Sequence, residues 1–79
     1  QVLKNVRVTD KTQAQNDADV RAMVERAAKE LGTDGRILVR ESGTEPLVRV
    51  MVEAGNVETC EKYVDAVIDV IRNKGYVIE

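Results

Sequence analysis

Histidine, tryptophan and phenylalanine are absent from this 79-residue chain, and cysteine and proline occur once each. Without histidine, the commonest acid–base catalyst and the commonest metal ligand are missing. A single thiol, Cys60, cannot close an internal disulfide, which predicts a reducing, cytoplasmic setting. Two tyrosines are the only aromatic side chains, too few for a platform on which bases stack. The net charge of −2 lacks the basic surplus of a nucleic-acid binder. No apolar run approaches the roughly 20 residues that a membrane-crossing helix needs.

What is present is Val, Ile, Leu and Ala in quantity. Apolar residues make up 43% of the chain and charged ones 33%, with both signs interspersed. That composition suits one domain with a modest core, covering residues 1–79. The chain opens on Gln1, and excision from a longer protein is the expected reading.

Periodicity places the elements. Residues 2–9 alternate as a strand, with Val2, Val6 and Val8 on one face and Asn5, Arg7 and Thr9 on the other; Lys4 interrupts the apolar side. Residues 10–15 read as a polar connector. Residues 16–31 read as a helix, with Asn16 as cap and a stripe of Val20, Met23, Val24, Ala27, Ala28 and Leu31. Gly32 supplies the stop. Residues 37–40 and 47–54 read as two strands, the second with a clean two-residue period. A second helix over 57–73 carries Asn56 as cap and a stripe of Val57, Cys60, Val64, Val67, Ile68 and Ile71. Residues 76–78 are a candidate last strand. The expected class is α+β, in the order β-α-β-β-α, with two helices on one face of a small, mostly antiparallel sheet.

The loop over residues 41–46, with Arg40 before it and Arg49 after it, concentrates the chemistry. It offers guanidinium groups, the hydroxyls of Ser42 and Thr44, and a backbone without a side chain at Gly43. Guanidinium, hydroxyl and consecutive amides are what a protein uses to hold phosphate without a metal. Strand parity sends Arg40 and Arg49 to the same open face, with Arg7 on that side too. Two arginines held together repel unless an anion or a carboxylate lies between them. Glu41 and Glu45 are internal candidates for that charge, and a phosphate is an external one. Ser-Gly-Thr is also ordinary hairpin material, so a plain loop with solvated arginines stays open beside the phosphate reading. The loop is not a P-loop: no Lys follows the glycine, and a strand comes next.

The run Arg40-Glu41-Ser42-Gly43-Thr44-Glu45-Pro46, followed by Leu47-Val48-Arg49-Val50-Met51-Val52-Glu53, resembles the C-terminal, fourth domain of the α-D-phosphohexomutase superfamily, nearest its bacterial phosphoglucosamine mutase branch. The resemblance is detailed over residues 35–54 and covers most of the chain in element order. Members commonly have Pro where this chain has Glu41. It implies a fold like the repeat of the TATA-binding protein, within an enzyme of four domains around a cleft. It implies that Arg40, Ser42, Gly43 and Thr44 contact the substrate phosphate, with Arg49 in support. The parent would be a phosphosugar isomerase converting glucosamine 6-phosphate to glucosamine 1-phosphate through a bisphosphate. Mg2+ and a phosphoserine are expected in that parent, and no cofactor in this chain. The family's serine loop and its Asp-Gly-Asp-Gly-Asp metal loop are not in this sequence, so the chain alone is expected to be inactive.

The implied partners are the phosphosugar and the other three domains, with no nucleic acid and no membrane. Three other origins stay open: a stand-alone protein-interaction module, a small-ligand sensor, or the same domain from a phosphoglucomutase or phosphomannomutase. Cys60 is expected as a buried structural thiol, and Glu58, Glu61, Asp65 and Asp69 as the solvated side of a helix.

Overall fold

Two-residue alternation makes three segments extend: β1 (Val2–Arg7), β2 (Arg36–Glu41) and β3 (Leu47–Glu53). The computed structural model describes residues 1–78, and in it these strands pair antiparallel in the order β1-β3-β2. The most Val-rich strand takes the centre. Val48, Val50 and Val52 of β3 are fully buried, while Arg49 and Glu53 face outward. Val6 lies opposite Val48, and Val39 opposite Val50, so one sheet face is continuously apolar.

That face is covered by helices α2 (Ala18–Leu31) and α3 (Val57–Asn73). In α3, Cys60, Tyr63, Val64, Val67, Ile68 and Ile71 are buried, and the Asn56 side chain caps the helix by accepting from the Thr59 amide at 2.8 Å. Val57 belongs to the stripe by spacing but is 59% exposed, because the first residue of the helix lies beyond the core. In α2, Val20 and Ala27 are fully buried and Met23, Val24 and Leu31 partly so. Ala28 is exposed. It sits about 80° round the helix from Val20, at the margin of the stripe. The chain leaves α2 through Gly32 at φ 63, a left-handed conformation that glycine adopts without strain.

Two expectations are corrected. Residues 10–15 are not a connector but lead into a short helix, α1 (Lys11–Asn16), whose N-cap Asp10 accepts from the Gln13 amide at 3.0 Å. Its one buried residue is Ala14. The cap of α2 is Asp17 rather than Asn16. The Asp17 carboxylate accepts from the amides of Asp19 and Val20, while Asn16 closes α1 by donating to the Thr12 carbonyl.

The first strand ends at Arg7 rather than at residue 9. Beyond it, Val8 forms a single bridge with Val77, all that remains of the candidate strand at 76–78. Lys4, the break in the apolar face of β1, reaches across to Asp65 of α3 at 2.7 Å. Tyr76 ties the C-terminal segment down by donating its O–H to Asp17 at 2.7 Å.

The architecture is therefore α+β: a three-stranded antiparallel sheet, with the order β-α-α-β-β-α.

Candidate functional site

The parity argument places Arg40 and Arg49 on the open sheet face, and the register makes them direct neighbours across the β2–β3 ladder. Asn5 of β1 lies on the other side of Arg49, so one row reads Asn5, Arg49, Arg40. All three are exposed. Among the described residues, neither arginine is in an ion pair. Like charges directly opposite one another in a ladder are destabilising. Arg7 points to the same side, opposite Leu47, which is buried although it shares parity with Arg49.

Glu41 and Glu45 do not supply the missing charge. The Glu41 carboxylate instead accepts from the Thr12 hydroxyl at 2.8 Å, on the side of α1.

The loop between the two strands is held from within by Ser42. This side chain is 6% exposed, and its Oγ accepts from the amides of Thr44 at 3.4 Å and Glu45 at 3.2 Å. The Ser42 amide donates to the Leu47 carbonyl at 2.9 Å, which closes the base of the loop. Consecutive free amides, as an anion nest requires, are therefore not what the loop presents. Thr44 and Glu45 have turned theirs inward, and the Gly43 amide is left without a partner among the described residues. Gly43 does not have a positive φ, and a Cβ added there would meet nothing within 4 Å. Its value lies in open access rather than in an unusual backbone shape.

Sequence reasoning missed the buttress from α1. Lys11 Nζ donates to the Ser42 carbonyl at 2.7 Å. Gln15 Oε1 accepts from the Glu41 amide at 2.7 Å. With Thr12, three side chains of one short helix grip two consecutive loop residues. The available signal was Asp10 followed three residues later by Gln13, a cap pattern ahead of a stretch with one small apolar residue.

Two hollows lie nearby. One, of about 390 Å³, runs between residues 9–12 and residues 44–46. The other, of about 190 Å³, lies between α2 and β2. Neither includes Arg40 or Arg49, both of which are exposed.

Comparison with known proteins decides the family. The family described as phosphoglucomutase/phosphomannomutase, C-terminal domain, matches residues 3–70. The chain belongs to this family.

Among curated relatives, the phosphoglucosamine mutase of Lachnospira eligens is 78% identical over 78 residues, covering 99% of this chain and 17% of that protein. The phosphoglucosamine mutase of Oceanobacillus iheyensis is 61% identical over 71 residues, covering 90% of this chain and 16% of that protein. That of Bacillus subtilis is 51% identical over 74 residues, covering 94% and 16%. The chain thus spans about a sixth of the length of the curated relatives it matches.

For a phosphoglucomutase/phosphomannomutase C-terminal domain, the described residues offer no metal seat. No three His, Cys, Asp or Glu side chains gather there as metal ligands would. Cys60 is fully buried in the core. No helix among the described residues is long and apolar enough to cross a membrane.

Proposed function

We propose that this chain is the substrate-phosphate-binding domain of a four-domain phosphosugar mutase, a phosphoglucosamine mutase. The observation that carries the reading is the Arg40–Arg49 pair: two arginines directly opposite each other across a ladder, neither in an ion pair among the described residues, at the root of an open glycine-containing loop. A dianionic phosphate relieves that repulsion and accepts planar, bidentate hydrogen bonds from Arg40. Arg49 adds charge from the neighbouring strand. The Ser42 oxygen is occupied as an acceptor, but its O–H proton is free to donate, as are the Thr44 hydroxyl and the Gly43 amide. The names of the relatives support glucosamine phosphate as the sugar.

The domain's contribution to catalysis is positioning. Gripping the phosphate distant from the reaction holds the reacting hydroxyl in place without taking part in phosphoryl transfer. The same grip serves either phosphate of a bisphosphate intermediate. The serine nucleophile and the magnesium belong to other domains, so this chain alone is inactive.

Affinity in isolation is weak. Three or four charge-assisted hydrogen bonds at roughly 1.5–3 kcal/mol each stand against an association cost of about 4–15 kcal/mol.

The other domains also have a surface to meet. On the open face, Leu3 and Leu38, 53% and 41% exposed, flank Met51 in a row beside the arginines.

The test is kinetic, in the full-length protein that carries this domain. Arg40→Ala should lower kcat/KM by about 10- to 100-fold, the size of one lost charge-assisted contact. Phosphorylation of the catalytic serine should be unchanged. Unchanged kcat/KM would remove Arg40 from the phosphate site.

A further inference from the structure

We infer that Lys11 is a positioning residue for the phosphate loop: its ammonium group fixes the Ser42–Gly43 peptide so that the Gly43 N–H faces the anion. The inference rests on the phosphate reading above and adds a residue from α1 to it. In a trans peptide, the carbonyl of one residue and the N–H of the next point in opposite directions. The described chain has no cis peptide. Lys11 Nζ holds the Ser42 carbonyl on the α1 side at 2.7 Å, in a part-buried setting. The Gly43 N–H therefore points away from the Lys11 ammonium that holds the carbonyl, and it has no partner among the described residues.

This amide matters because the loop has few others to give. The Thr44 and Glu45 amides go to Ser42 Oγ, the Ser42 and Leu47 amides to backbone carbonyls, the Glu41 amide to Gln15, and Pro46 has none. A cation on the carbonyl also polarises the peptide, which makes its N–H a stronger donor. Thr12 and Gln15 hold the preceding residue, Glu41, from the same helix, which keeps the base of the loop against α1 within reach of Lys11.

The experiment is NMR on the 79-residue chain, with inorganic phosphate as the probe. Without phosphate, Lys11→Met should shift the Ser42 carbonyl 13C and the Gly43 amide 15N, while core amides such as Val50 and Val64 stay in place. With phosphate, Lys11→Met should raise the Kd by about three- to tenfold, part of one charge-assisted hydrogen bond. That loss should persist at about 1 M salt, where screening acts over about 3 Å. Lys11→Arg should restore both readouts, and Lys11→Gln, which keeps a shorter neutral donor, should fall between.

An unchanged Kd and an unchanged Gly43 shift in Lys11→Met, beside a wild type that binds phosphate at the loop, would overturn the role of Lys11 and leave the phosphate site standing. A loss that disappears in salt would also overturn it, since Lys11 would then act by charge alone. A wild type with no phosphate response at the loop would overturn the phosphate site and this role together.

Discussion

Without its hydroxyl, Ser42 would leave the amides of Thr44 and Glu45 with no acceptor inside the loop. Part-buried amides that lose an internal acceptor forfeit the net contribution of those hydrogen bonds. Ser42→Ala should therefore lower the unfolding free energy by about 1 kcal/mol in urea titrations and speed hydrogen exchange at Thr44 and Glu45. Unaltered exchange at those two amides would show that the hydroxyl does not organise the loop.

The residue expected to be foreign to the family, Glu41, has a local explanation. Its amide donates to Gln15 and its carboxylate accepts from Thr12, and a proline in its place would do neither. At this scale the placing of Arg40 and Arg49 side by side on one face was legible, because strand parity sets which side chains share a face. What Ser42 does was not legible. A hydroxyl reads as a donor to ligand, and only coordinates show its oxygen already accepting two amides.

Elements differed in how plainly the sequence announced them. β3 and α3 follow strict periods, and their bounds of 47–54 and 57–73 were read within one residue. α1 was invisible because a helix with one buried residue, Ala14, has no stripe. Its partners lie 26 to 31 residues away along the chain, beyond any local pattern.

The junction of α1 and α2 also sets a pH dependence. The Tyr76 hydroxyl is the main cause holding the Asp17 carboxyl below its usual range, helped by the amides of Asp19 and Val20 and by the Lys74 ammonium, and opposed by desolvation. A lowered carboxyl pKa contributes stability above the ordinary carboxylate range and loses it as pH falls through the folded value. The same hydrogen bond raises the Tyr76 phenol, so the pair acts up to the ordinary phenol range. Asp17→Asn should thus melt at a lower temperature than wild type at pH 7, with the difference narrowing toward pH 2. A constant difference across that range in thermal melts would exclude the pair as a source of acid sensitivity.

At the scale of the whole molecule, Arg40 and Arg49 lie exposed on the open face of the sheet, beside the loop that joins β2 to β3. Leu3 and Leu38 are exposed beside that pair. The fold class was legible because two striped helices and three alternating strands have few ways to bury their apolar sides together. The exposure of Arg40 and Arg49 was not, since an enclosed pocket and an open face can use the same residues.

The most direct measurement is a titration of the 15N-labelled chain with inorganic phosphate, followed at every amide. The largest shifts should fall on Ser42, Gly43 and Thr44, with the Nε–H of Arg40 moving alongside them, at millimolar or weaker affinity. Shifts spread evenly over the surface, or centred on the hollow between α2 and β2, would contradict a phosphate site between β2 and β3.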